Sequence, residues 1–139
     1  MIEFPQQLRN TKTSWNAIIK VSKYHYENGH LGLSVLAAWE AVMDRLAGIY
    51  QVDSRNIENY KRLGKVVRSH DFDRIYGQTL GFPSKMRSLS KFRNGIAHAE
   101  ECQFSDIANE FPIILKLLER RLGDTSLDSL PNYVAWETI

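Results

Sequence analysis

The chain has 139 residues, 43% of them hydrophobic and 24% charged, which fits one domain with a packed core and excludes both a multidomain machine and a wholly disordered chain. A single cysteine, Cys102, excludes an internal disulfide framework and points to a reducing compartment, and the longest run without a charged side chain, residues 28–39, is too short for the roughly 20 apolar residues of a membrane span. The net charge of +2 is unevenly spread: residues 61–93 hold nine basic and two acidic side chains, a net of +7, whereas the remainder, with nine basic and 14 acidic, nets −5.

The first residues show no basic region followed by an apolar stretch and a small-residue cleavage site, so a cytoplasmic protein without a membrane partner is expected. Thr13 can cap a helix over residues 14–26, in which Trp15, Ile18, Ile19, Ser22 and Tyr26 follow a 3.6-residue rhythm, and Asn28-Gly29 stops it. Residues 31–50 carry the strongest helical signal: Leu33, Leu36, Ala37, Glu40, Met43 or Asp44, Ala47 and Tyr50 form a stripe interrupted by acids. Ser54 is the expected cap of a third helix reaching about Ser69 and containing Ile57, Tyr60, Leu63, Gly64 and Val67; residues 70–82 read as irregular or short-helical, with Gly77 and Gly81 as breakers.

Pro83 suits the first turn of a fourth helix, where its missing amide costs nothing, and Met86, Leu89, Phe92 and Ile96 give that helix a core-facing side as far as about Glu100. Phe104-Ser105-Asp106 opens a fifth, ending at Leu122-Gly123, with Ile107, Phe111, Ile114, Leu118 and Leu122 on one side and Pro112 expected to kink or restart it. The tail from Asp124 carries Leu127, Leu130, Val134, Trp136 and Ile139 without a clear period, and is expected to fold back over the bundle or dock on a neighbour. No segment alternates as a strand does. The fold class is therefore all-α: an up-and-down bundle of four to five helices in a single domain, with the bundle over residues 1–123 and the tail over 124–139.

The chemistry concentrates in the fourth helix, in Ser90-Lys91-Phe92-Arg93-Asn94-Gly95-Ile96-Ala97-His98-Ala99-Glu100. Asn94 and His98 are four residues apart, hence about 40° apart around the axis, and Arg93 adjoins Asn94, while Phe92 and Ile96 turn inward. A guanidinium, an amide and an imidazole suited to a phosphate thus leave one stretch of helix. Gly95 costs about 1 kcal/mol of helix propensity relative to alanine, so a close approach to the backbone is expected there. The basic sector, with Lys61, Arg62, Lys65, Lys85, Arg87 and Lys91, is the electrostatic footprint of a phosphate-rich partner; a solvated helix face is the other reading.

Arg93-Asn94-Gly95-Ile96-Ala97-His98 resembles the R-x4-H signature, in its R-N-x-x-x-H form, of the HEPN superfamily of small helical-bundle domains, and Trp39-Glu40 is similar to the aromatic-Glu pair of some of its branches. The resemblance implies a metal-independent endoribonuclease, working without a cofactor as a homodimer whose Arg/His helices face each other across an RNA cleft. It implies Arg93, Asn94 and His98 as catalytic residues, and toxin or defence roles with an antitoxin or regulatory protein as a possible partner. Glu40 and Asp44, one helical turn apart, have two readings: support that lines the cleft and holds Arg93 or His98, or carboxylates that pair with Lys and Arg across the surface. In the branch whose motif extends to R-x4-H-x-Y the tyrosine is the modified residue; Glu100 stands there instead, which departs from that partnership. A catalytically silent domain that binds RNA, nucleotide or a partner protein is the alternative. No metal site is expected: Glu27 and His30 fit Glu-x-x-His only once and across a helix stop, and Cys102, His25 and His70 read as packing, surface and loop residues.

Overall fold

The two helical segments separated by Asn28-Gly29 fold against each other. In the computed structural model, which describes residues 14–77, 81–97 and 104–139, helix α1 (Ser14–Glu27) ends where the Asn28 side chain donates to the Tyr24 carbonyl at 2.8 Å and Gly29 takes φ +76°, a left-handed backbone free of steric cost only for glycine. The chain reverses and α2 (Leu31–Tyr50) packs along α1. Two serines tie the pair. Ser22 Oγ donates to the Ser34 carbonyl at 2.7 Å, Ser34 Oγ donates to the Ser22 carbonyl at 2.6 Å, and both residues are fully buried. Small hydroxyls let the backbones approach and leave neither buried donor unpaired.

Helix α2 is the central element. Ten of its 20 residues are buried, four of them alanines whose small side chains admit close neighbours, and α1, α3, α5, α6 and the tail all pack on it. Helix α3 (Ile57–Val67) starts later than expected: Asn56, not Ser54, is its cap, accepting the Asn59 N–H at 3.1 Å. Ser54 is unavailable because it lies inside the turn that Asp53 makes by accepting the Arg55 N–H at 2.9 Å. The helix also stops short of Ser69, which caps the short α4 (His70–Tyr76) by accepting the Phe72 N–H at 3.1 Å. Helix α5 (Phe82–Ala97) has Pro83 in its first turn and buries Met86, Leu89 and Phe92.

Helix α6 (Phe104–Arg121) does not restart at Pro112, which lies inside it. Phe111, Ile114, Leu115 and Leu118, on either side of the proline, are all buried in the core, so packing holds both halves of the helix despite the lost amide. The tail folds back on the bundle as a 3₁₀ helix (Thr125–Asn132) and a last turn (Trp136–Thr138), with Leu127, Leu130 and Val134 buried. Tyr50 Oη donates to the Val134 carbonyl at 2.8 Å and Tyr76 Oη to the Ser126 carbonyl at 2.9 Å. Arg45, from the middle of α2, donates to the Leu122 carbonyl at 2.9 Å and to Asp128 at 3.0 Å. All regular elements among the described residues are helical, so the fold is an all-α single domain, and no described helix is long and apolar enough to cross a membrane.

The serine clasp gives a stability test. Ser22→Ala and Ser34→Ala should each cost about 1–2 kcal/mol, because each removes a buried donor and its bond. The double variant should cost less than the sum, since each change already loosens the geometry the other needs. Urea unfolding of the four proteins reads the coupling, and strict additivity would contradict it.

Candidate functional site

The core-facing side of α5 settles where its polar residues emerge. Phe92 is buried and Ile96 rests on α2, where its methyl lies 3.8 Å from the position a side chain on Gly32 would occupy. Arg93 and Asn94 therefore leave the helix on its outward side, Arg93 half-buried and Asn94 exposed. Arg93 Nη1 donates to Asn94 Oδ1 at 3.2 Å. Gly95 is buried. His98 lies outside the described residues, as do Glu100 and Cys102.

Arg93 meets a partner that the periodicity of the sequence assigns only to packing. Its guanidinium carbon stands 5.9 Å from the centre of the Tyr60 ring on α3, within cation–π reach. The Tyr60 hydroxyl donates to Glu40 Oε1 on α2 at 2.7 Å. Carboxylate, phenol and guanidinium thus form a chain across three helices, ending at Asn94. Glu40 is exposed although Trp39 beside it is buried, because adjacent helical positions lie about 100° apart. Asp44 is half-buried one turn further along α2.

Burial raises the Tyr60 phenol well above its ordinary range, and the neighbouring Glu40 charge, which a phenolate would oppose, adds to the shift; Arg93 and the Trp39 side chain act the other way without reversing it. Tyr60 is therefore a protonated donor at any physiological pH, held to Glu40. The arrangement keeps the Arg93 charge intact. Its described partners are a ring face and an amide, neither of which neutralises a guanidinium.

The six cations of the basic sector expected to meet a phosphate-rich partner divide. Arg87, Lys91 and Asn94 follow i, i+4, i+7 spacing on α5 and all three are exposed, which makes one outward stripe beside Arg93. Arg87 on that stripe is shared with Asp73 at 3.7 Å. Lys85 is half-buried, and Lys65 is exposed on α3. Lys61 pairs with Glu58 at 4.0 Å, a contact between exposed groups worth about 0–1 kcal/mol. Arg62 is directed elsewhere: its guanidinium lies 5.4 Å from the Trp136 ring on the tail, because two residues from Tyr60 is about 200° around α3. Among the described residues no group of three or more His, Cys, Asp or Glu is placed to hold a metal ion. His25 packs its ring 5.7 Å from Tyr24 and 5.8 Å from His30.

Compared with protein-family models, with curated proteins and with solved structures, the chain matches none.

The direction of the Tyr60 shift predicts an alkaline response. A phenol whose folded pKa is raised contributes stability that is complete below about pH 10, its unfolded value, and is lost as pH climbs toward the folded one. Unfolding free energy should therefore fall above about pH 10, and Tyr60→Phe should flatten part of that fall. Urea titrations on either side of that pH check it; an equally steep fall in the variant would count against the assignment.

Proposed function

We propose that the chain is a metal-independent endoribonuclease of the HEPN type, acting as a homodimer on RNA, with Arg93, Asn94 and His98 as its catalytic residues. The observation that carries the reading is the contact of Arg93 with Asn94 on the outward side of α5, braced through Tyr60 by Glu40 and flanked by exposed Lys91. A cationic fork held at a surface, with its charge unspent on a carboxylate among the described residues, suits a phosphodiester. The all-α single-domain fold agrees with the resemblance carried by residues 93–98.

RNA supplies its own nucleophile, so the protein has to move protons and stabilise charge. His98 takes the proton of the ribose 2′-hydroxyl, a transfer that an imidazole can make in either direction near neutral pH, and the 2′-oxygen attacks the adjacent phosphorus. The 2′-O–P bond forms, the P–O5′ bond breaks, and the departing 5′-oxygen takes up a proton from an imidazolium, that of the facing protomer or His98 itself. Arg93 stabilises the extra negative charge of the pentacovalent phosphorane, and Asn94 orients the phosphate or the imidazole. The products are a 2′,3′-cyclic phosphate and a 5′-hydroxyl. A toxin or defence role, with an antitoxin or regulatory partner, fits such an activity.

A second reading is a silent domain that binds RNA, nucleotide or a partner protein. One observation favours it: Arg93 is half-buried and already stacked on Tyr60, so its guanidinium also serves as a brace between α3 and α5. The readings separate on single-stranded RNA with mapped ends. For the nuclease, His98→Ala lowers cleavage about 10²- to 10⁴-fold, Arg93→Ala about 10²- to 10³-fold, and EDTA leaves the rate unchanged. Absence of cleavage by the unaltered protein, or its loss on chelation, removes the nuclease reading.

A further inference from the structure

A second guanidinium, one of the nine cations of the basic sector, lies on the same pair of helices outside the R-x4-H pattern. Arg68 is the C-terminal cap of α3, and it donates from Nη1 to Ser90 Oγ on α5 at 3.3 Å. Ser90 is one turn before Arg93 on that helix and is almost fully buried, so its hydroxyl is a fixed acceptor. Gly64 lies beside the guanidinium: a Cβ built there would stand 3.5 Å from the Arg68 nitrogens, an ordinary contact distance. The guanidinium thus lies back along α3 toward Tyr60, because residues 60, 64 and 68 are spaced i, i+4, i+8 on one line, about 6 Å of rise per step.

The two arginines are alike in what holds them. Arg93 rests on a ring and an amide, Arg68 on the Ser90 hydroxyl beside Gly64, and among the described residues neither has a carboxylate within ion-pairing distance. Arg45, Arg55, Arg74 and Arg87 each have one. Neutral supports aim a fork and leave its charge available, whereas a carboxylate uses it. Arg68 is exposed, so the remaining guanidinium N–H groups can reach a ligand.

We infer that Arg68, aimed by Ser90, is a second anion subsite for the strand bound at Arg93, holding a phosphate further along the same backbone across the junction of α3 and α5. The inference rests on the proposed RNA substrate and concerns binding alone; it assigns Arg68 no part in bond breaking. A phosphate contact positions the strand without reading its bases, so its signature is the salt dependence of affinity.

The test uses the full chain and a single-stranded 2′-O-methyl oligoribonucleotide, whose blocked 2′-oxygen prevents cleavage. Arg68→Gln, which keeps a donor for Ser90 and removes the charge, should weaken binding about tenfold or less and lower the slope of log affinity against log salt by about 0.7. Ser90→Ala, which removes no charge, should weaken binding with the slope unchanged. Lys116→Gln, at an exposed position on α6, should change neither. An Arg68→Gln slope equal to that of the unaltered protein overturns the subsite, as does failure of the unaltered protein to bind in a salt-dependent way. Should Arg68→Gln not fold, Ser90→Ala decides, and unchanged affinity overturns the proposal. Cleavage of unmodified RNA is read separately: no cleavage together with the expected slope change removes the nuclease reading and leaves the subsite standing.

Discussion

A helix with half its residues buried must be covered almost all round, and that requirement on α2 organises the rest of the molecule. Val35, Ala38, Ala41, Val42 and Met43 are sealed from solvent, so α1, α3, α5, α6 and the tail each take a share of its surface. Trp39 goes in with them, and Glu40, the next residue, comes out. Where it comes out, α3 and α5 are already adjacent, since both are packed on α2 and on each other. The Glu40–Tyr60–Arg93 chain is a consequence of that crowding: a carboxylate at the edge of a buried helix meets the first hydroxyl offered by its neighbour, and the ring carrying that hydroxyl meets the nearest cation.

Electrostatics then sorts the cations by what supports them. Arg45 closes the tail onto α2 by spending its fork on Asp128 and two backbone carbonyls, and its side chain is largely withdrawn from solvent. Arg93 and Arg68 are directed by fewer contacts, each donating one side-chain hydrogen bond to a group that carries no charge among the described residues. The first arrangement is architectural, because a paired guanidinium has little left to offer. The second suits recognition of an anion, whether or not a bond is then broken, because the cost of ordering a long side chain has been met before the ligand arrives.

Tyr60 also links stability to the site. Its phenol is kept protonated by burial and by the charge it donates to, so it acts as a strut and not as a titrating group near neutral pH. A strut that joins α2 to α3 and stacks under a cation from α5 makes the orientation of Arg93 depend on the packing of three helices. Two roles for Arg93, brace and phosphate ligand, are compatible on this geometry, since the ring occupies one side of the guanidinium.

Much of the molecule was legible in the chain because helical periodicity is local. The rhythm of apolar residues marks the extent of α2 and the core sides of α5 and α6, Asn28-Gly29 marks the reversal after α1, and Pro83 marks the start of α5. The stripe read on α2 is not its buried side, since Leu33 and Glu40 are exposed while Val35, Ala38, Trp39 and Val42 go in, because a helix covered almost all round has no single apolar stripe. The outward side of α5, and with it the exposure of Asn94 beside Arg93, follows from the same rhythm. The misplaced boundary at Ser54 and the restart that, beside a kink, is expected at Pro112 have a common origin: each is decided by a competitor the local pattern does not weigh, the Asp53 turn in one case and the buried side chains flanking the proline in the other. Only the tertiary structure could join Glu40, Tyr60 and Arg93, or Arg68 and Ser90, because those contacts are between residues on different helices and depend on how the helices cross. Periodicity states which side of a helix is wet; it carries no information about which wet side it will face.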